Sequence, residues 1–117
     1  MNFVRVEMFE VKGNIWIEGP NGTLIGLGRM NLLERIFENG SISEAARGMK
    51  MSYRQAWELV DAMNKESKEP LVTTASGGVG GGGAVLTEKG LETLKYYKSL
   101  LSRFEKFKKS ETEKLVE

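Results

Sequence analysis

Histidine and cysteine are both absent from this sequence of 117 residues. Their absence excludes Ser-His-Asp and Cys-His nucleophiles, disulfide bonds and most zinc sites. The serines, threonines, lysines and carboxylates that remain show no spacing typical of a nucleophile with its base. We therefore expect neither an enzyme nor a bound metal or other cofactor, and the chemistry left to these side chains is binding.

Two short polar motifs, eleven residues apart, have the spacing of helix N-caps. Ser41 and Glu44 form an S-x-x-E capping box, in which the serine oxygen accepts from the third backbone N–H and the glutamate reaches back to the cap. Ser52 and Gln55 repeat this device. Because the second helix starts before the first could complete three turns, the chain must turn sharply between them. The spacing predicts a helix-turn-helix.

The second predicted helix has one apolar face and one polar face. The apolar stripe has helical spacing and comprises Ala56, Leu59, Val60 and Met63. Tyr53, Arg54 and Gln55 lie outside it, in the first turn, where a recognition helix meets base edges and phosphates. The free N–H groups and positive dipole end of that turn also favour a phosphate. Trp57 either contacts DNA or packs on the preceding helix, and its large apolar surface favours packing.

The overall charge is close to neutral, with 17 lysines and arginines against 16 aspartates and glutamates. The chain therefore lacks the strongly basic balance of a nonspecific nucleic-acid binder, and DNA contacts must come from local charge such as Arg47, Lys50 and Arg54. No apolar run approaches the roughly 20 residues of a membrane span, and the first residues do not resemble a signal peptide. We expect a soluble cytoplasmic protein with no membrane contact.

The N-terminal part predicts a small β meander followed by a helix. Alternating or β-branched residues indicate strands over Phe3–Val11, Asn14–Glu18 and Thr23–Ile25. An arm formed by residues 1–11 that reaches DNA or a partner is the alternative, but for DNA it would carry Arg5 as its one basic residue up to Val11. Helical spacing begins at Arg29 and ends at Asn39-Gly40, a left-handed C-cap signal.

Two further strands, Leu71–Ala75 and Ala84–Leu86, flank a loop with six glycines between Gly77 and Gly83. The loop formally matches G-x-G-x-x-G, but no βαβ unit surrounds it and a strand follows it, so it is not a dinucleotide site. The pattern indicates a wing, a hairpin tip whose backbone N–H groups can approach a phosphate. A merely flexible loop is the alternative.

Thr87 is predicted to cap a long amphipathic final helix. Acidic residues dilute its basic face, so pairing with a second copy is favoured over lying on a membrane. The tail from Ser110 to Glu117 is expected to fray. The predicted dimerisation residues are Leu91, Leu94, Tyr97, Leu101 and Phe104.

This order of elements resembles the DNA-binding domain of the ModE family of molybdate-responsive transcription regulators. The resemblance covers about Ile15 to Leu101. The residues that carry it are Leu24–Arg29, Gly40–Ser43 with Ala45 and Ala46, Met51–Arg54 with Ala56 and Trp57, Met63 with Asn64, and Gly77–Thr87 with Gly90. It implies a winged helix of LysR type, dimers formed through the terminal helices, and a palindromic operator.

The sequence departs from the family in two respects. Val79 stands where family wings often carry a basic residue, so the wing's phosphate contact must be weak or made by the backbone alone. In full-length members a separate barrel domain binds molybdate or tungstate, and we expect no segment of this chain to build it. We therefore predict that the chain alone does not bind molybdate.

These observations together predict an α+β fold, a winged helix-turn-helix with an N-terminal β meander and a C-terminal dimerisation helix. The expected segments of this one compact domain are 1–27, 28–87 and 88–117. The predicted function is a sequence-specific transcriptional regulator that binds double-stranded DNA as a homodimer. A winged-helix module for protein contacts without DNA binding is the alternative. The predicted DNA-binding residues are Ser41, Arg47, Lys50, Ser52, Tyr53, Arg54, Gln55, Gly78, Gly80 and Gly81.

Overall fold

The computed structural model describes residues 9–75 and 83–115. In these residues two short antiparallel hairpins alternate with four helices, so the predicted α+β class is confirmed. The elements are β1 (Ile17–Glu18), β2 (Thr23–Ile25), α1 (Leu27–Asn39), α2 (Ile42–Gly48), α3 (Tyr53–Glu66), β3 (Val72–Thr74), β4 (Ala84–Leu86) and α4 (Glu88–Glu113).

α2, α3 and α4 each begin directly after the polar residue predicted to cap them, but one of the two predicted capping boxes is incomplete. Ser52 and Gln55 make both bonds of a capping box at the start of α3, and Thr87 Oγ1 accepts from Gly90 N at the start of α4. Ser41 Oγ accepts from Glu44 N at 3.1 Å, but the Glu44 carboxylate bonds Arg47 and does not reach back to the cap. The box predicted at α2 is therefore only half formed, because a cation lies one turn away.

The N-terminal meander is smaller than predicted. β1 spans Ile17–Glu18 rather than Asn14–Glu18, and it pairs with β2 through an irregular register. Of the strand predicted over Phe3–Val11, residues 3–8 lie outside the described residues and 9–11 form no strand. The segment before β1 bonds α4 instead: Val11 N donates to Thr112 Oγ1 at 2.8 Å.

The helix boundaries differ from the prediction at two ends. α1 begins at Leu27, two residues before the predicted start at Arg29, and it ends at Asn39 with Gly40 as a left-handed C-cap at φ 68°, as the Asn-Gly signal indicated. α4 continues to Glu113, so Ser110 and the three residues after it are helical and do not fray as expected. In the described residues, no helix is both long and apolar enough to cross a membrane.

The hydrophobic core lies where α1, α2, α3, the start of β3 and α4 meet. The predicted α3 stripe faces it, with Ala56, Val60 and Met63 buried and Leu59 half-buried. α4 passes close to the residue before β3 at Gly90, which is buried beside the Leu71 backbone. The largest fully buried side chains are Tyr97, Ile25, Leu32, Leu33, Ile36, Met63 and Leu71.

The apolar stripe of α4 faces this same core, which corrects the predicted dimerisation surface. Leu94 and Tyr97 are 6% and 1% exposed within the single chain. Leu91, Leu101 and Phe104 are half-buried, and Leu101 packs against the core. Leu94 and Tyr97 are therefore unavailable to a partner. The large apolar side chains that α4 exposes are instead Tyr96 and Phe107.

Candidate nucleic-acid interface

The α2 and α3 helices are held to the core by their small and apolar residues. Ile42, Ala45 and Ala46 are at most 4% exposed, so α2 packs closely against its neighbours. The turn between α2 and α3 is hydrogen-bonded to the end of α2, since Met49 N and Met51 N both donate to the carbonyl oxygen of Ala46. These bonds fix the turn, and the faces of α2 and α3 that point away from the core remain exposed.

Lys50 occupies the centre of that turn with φ 56°, in the left-handed region that non-glycine residues rarely adopt. Its side chain is exposed, and no carboxylate of the described residues lies within 4.0 Å of it. Local strain at a surface residue of this kind often accompanies function. Lys50 is thus a cation presented at the corner between α2 and α3.

The first two turns of α3 expose two aromatic residues and a cation. Tyr53 is 55% exposed and Trp57 is 45% exposed, so both rings present part of their surface to solvent, and the preference for a packed Trp57 stays a prediction. The two rings are four residues apart and therefore lie on one face of the helix. The Arg54 side chain is 88% exposed next to them. This surface combines charge with aromatic area, the mixture that nucleic-acid contacts use.

Both arginines of the surface are paired with a carboxylate. Arg54 Nε lies 3.2 Å from Glu58, and Arg47 Nη1 lies 2.7 Å from Glu44. Such exposed pairs contribute only about 0–1 kcal/mol, because water screens them. A phosphate or a guanine edge can therefore displace the carboxylate at little cost.

Three predicted contact residues are engaged in capping. Ser52 Oγ accepts from Gln55 N at 3.0 Å, while Gln55 Oε1 accepts from Ser52 N at 3.1 Å. Ser41 is half-buried and caps α2. Their observed role is to fix the helix starts, and Gln55 keeps its amide NH₂ group as the donor available to a ligand.

The hairpin β3–β4 has a stem that is tied to α3 by one side chain. Asn64 Nδ2 donates to Val72 O at 2.9 Å, and Asn64 Oδ1 accepts from Leu71 N at 2.8 Å and Val72 N at 3.1 Å. The predicted wing contacts Gly78, Gly80 and Gly81 lie outside the described residues. The antiparallel pairing of the stem itself agrees with the predicted hairpin.

Sequence reasoning missed the roles of Asn64 and Glu66 at the end of α3. Glu66 Oε2 accepts from Asn21 N at 3.1 Å, in the turn between β1 and β2. The signal available for Asn64 was an amide in the last helical turn, a few residues before Pro70, where backbone groups need partners. In the described residues, no cluster of three potential metal ligands occurs near either residue or elsewhere.

Part of the chain is similar in sequence to known proteins. No protein-family model matches it. It is 46% identical over 92 residues to the molybdenum-pterin-binding protein MopB of Rhodobacter capsulatus, covering 73% of this chain and 34% of that protein. It is 42% identical over 79 residues to the molybdenum transport protein ModE of Azotobacter vinelandii, covering 68% and 29%.

A third relative is the DNA-binding transcriptional dual regulator ModE of Escherichia coli (strain K12), with 45% identity over 69 residues, or 59% of this chain and 26% of that protein. The chain thus spans about a third or less of the length of these relatives. The predicted resemblance to ModE proteins is confirmed over this part of the chain. The names are those of regulators or of molybdenum-binding and transport proteins, and none is the name of an enzyme. Because they refer to molybdenum, they give no support to the prediction that this chain binds no molybdate.

Proposed function

We propose that this chain is a DNA-binding module of a ModE-type transcription regulator and that α2, the turn and α3 act as its helix-turn-helix. The observation that carries the proposal is the exposed first part of α3, where Tyr53, Arg54 and Trp57 project from a helix whose opposite face is buried. A helix held in this way presents its N-terminal residues to a major groove.

In this proposal, charge and shape have separate roles. Arg47 and Lys50 lie on α2 and in the turn, where they hold phosphates and set the position of the module on the duplex. Arg54 reaches a guanine edge or an adjacent phosphate after leaving Glu58. The rings of Tyr53 and Trp57 supply apolar contact, for example with a thymine methyl group.

The hairpin β3–β4 is proposed to act as a wing. Its stem supports this assignment, because Asn64 fixes the start of β3 against the last turn of α3, and Ala84 N donates to Gly40 O at 3.0 Å. These bonds hold the described stem of the hairpin against α3 and the end of α1. The division into segments 1–27, 28–87 and 88–117 stays a prediction.

Pairing of two copies is proposed to use the exposed face of α4. Tyr96, Arg103 and Phe107 are exposed and recur at spacings of seven and four, so they form one stripe, and Arg103 lies 5.8 Å from the centre of the Tyr96 ring. α4 is 26 residues, about 39 Å, long, and the described chain extends 67 Å along its longest axis. A twofold dimer through this stripe would bind a palindromic operator.

Selection of bound duplexes from a random DNA pool at physiological salt tests the proposal. An enriched sequence with twofold symmetry is expected. Arg54→Ala should then weaken binding to it by about 1–3 kcal/mol if Arg54 grips a guanine. Lys95→Ala is the matched control, since Lys95 is an exposed cation on α4 and its removal changes net charge equally.

A protein-interaction module is the second candidate, favoured by the carboxylates Glu44 and Glu58 on the same surface as the arginines. Acidic groups there repel phosphates and suit a partner with mixed charge. Failure of the pool to yield any enriched duplex, with a folded protein, would favour this candidate over DNA binding.

A further inference from the structure

A cavity of about 730 Å³ opens between the segment before β1, the start of α1, the α2–α3 turn and α4. Its size is that of pockets that hold small organic ligands. Most of its wall is apolar. The side chains that matter for the argument are Trp16, Leu27, Met49, Met51, Leu59 and Leu101.

A cationic side chain lines this cavity. Arg29 lines it and donates one guanidinium N–H to Thr23 O, which leaves other donors of the fork for a ligand. Within the described parts of the chain, no carboxylate lies within 4.0 Å of Arg29. Glu105 also lines the cavity, but it is paired with Lys108 at 2.9 Å.

The N-terminal end of α1 also lines the cavity, next to Arg29, and carries partial positive charge. Gly26 provides no side-chain cap, and the first turn of α1 contains no acidic residue. The partial positive charge of the helix end is therefore left uncompensated by side chains next to Arg29. At the same time, the apolar wall makes the cavity unsuitable for a hydrated inorganic oxyanion, which would lose its water without enough donors to replace it.

We propose that this cavity binds a small aromatic carboxylate, with the carboxylate on Arg29 and the ring between Met49, Met51 and Leu59. A bidentate guanidinium–carboxylate pair gives the charge recognition. Methionine side chains are flexible and make favourable contacts with aromatic rings, so they suit a flat ligand. This binding does not depend on the proposed DNA-binding function.

The consequence of binding does rest on the proposed function. Met49 and Met51 flank Lys50 in the turn, and Leu59 belongs to α3, so the ligand contacts the turn and the proposed reading helix together. The ligand thus binds the arrangement of the turn and α3 in which Tyr53 and Arg54 are exposed. Binding should therefore favour this arrangement and raise operator affinity.

Calorimetric titration with 1-naphthoate tests the site, with 1-naphthamide as the neutral ligand of matched shape. Saturable binding of one naphthoate per chain is expected, with the amide at least about tenfold weaker because the charged hydrogen bonds are lost. Arg29→Gln should abolish this preference for the acid. Arg35→Gln on the same helix lies outside the cavity and should retain it.

Methionine methyl NMR then places the ligand. The signals of Met49 and Met51 should shift on titration, while that of Met63 in the closed core should not. Equal binding of acid and amide, or shifts that omit Met49 and Met51, would overturn the proposal. If Arg29→Gln reduces stability, Arg29→Lys keeps the charge and should retain a preference for the acid.

A second copy of the chain is the competing occupant, and sedimentation distinguishes it. If naphthoate binds only at concentrations where the chain is monomeric, the cavity is part of an interface and the proposal is wrong. Naphthoate that binds without changing operator affinity contradicts only the consequence. Failure to select any operator contradicts only the proposed function.

Discussion

Gly90→Ala should destabilise the fold, because α4 crosses the start of β3 without room for a side chain there. A Cβ at residue 90 would lie well inside the van der Waals distance of the Leu71 carbonyl oxygen and 3.0 Å from its carbonyl carbon. The obstacle is backbone, and it is held in place: Leu71 N is bonded by Asn64 and Leu71 O accepts from Thr87 N at 2.9 Å. The helix must therefore move.

Three contributions set the magnitude. Replacing glycine by alanine inside a helix contributes about 1 kcal/mol in favour of folding. Overpacking against a fixed backbone costs about 1–3 kcal/mol or more, and loss of the Thr87 N–H bond to Leu71 O costs about another 1 kcal/mol. The free energy of unfolding should therefore fall by roughly 1–3 kcal/mol.

Urea denaturation followed by circular dichroism measures this change. Gly28→Ala is the matched control, since Gly28 lies within α1 and a Cβ there would meet no atom within 4 Å. It should raise the free energy of unfolding by about 0.5–1 kcal/mol. If Gly90→Ala raises the free energy of unfolding, as Gly28→Ala is expected to do, the close approach at Gly90 does not govern the packing of α4.

Lys50→Gly should raise the free energy of unfolding by up to about 1 kcal/mol, because glycine adopts the φ of 56° at this position without strain. The same change should reduce the salt dependence of operator binding by about one phosphate contact, because the cation is removed. Burial raises the pKa of Tyr97 above 10.0, so the neutral phenol stabilises the fold at lower pH and this contribution is lost as pH rises through the raised value. Urea titrations from pH 8 to 11 should show that loss, smaller in Tyr97→Phe and unchanged in the exposed control Tyr96→Phe. Phe107→Asp should dissociate the proposed dimer in sedimentation, and the neighbouring Lys106→Asp should not. Calorimetry with molybdate should give no saturable binding; one site per chain at micromolar concentration would prove this prediction wrong.

The helix starts could be predicted because capping is local. Ser52, Gln55 and Thr87 act within three residues of their partners, so their spacing contains the needed information. Glu44 could not be predicted in this way, because its carboxylate has two local partners, the Ser41 backbone N–H and the Arg47 guanidinium, and it bonds Arg47. Spacing gives the possible partners, and the competition between them decides which bond forms.

The α4 surface could be predicted only in part. An amphipathic stripe indicates that a face is buried, but it does not say whether the chain itself or a second copy buries it. Tyr97 packs in the chain's own core and donates to Ile15 O at 2.7 Å, 82 residues away in sequence. The segment before β1 presents the same difficulty, because its alternating residues predict a strand while its observed partner, α4, is distant in sequence.

The two ends of α3 are treated differently by the fold, and this difference supports a reading role for the helix. At its C-terminal end, Asn64 holds the β3–β4 hairpin and Glu66 holds the turn between β1 and β2. At its N-terminal end, the capping box satisfies the backbone internally and leaves Arg54 exposed. A helix anchored at one end to both hairpins keeps its orientation, and under the proposed function Arg54 at the other end would leave Glu58 for DNA. Disturbing the anchor, as Asn64→Ala would, should therefore misplace the wing stem and α3 together, whereas Arg54→Ala removes one contact and leaves their geometry unchanged.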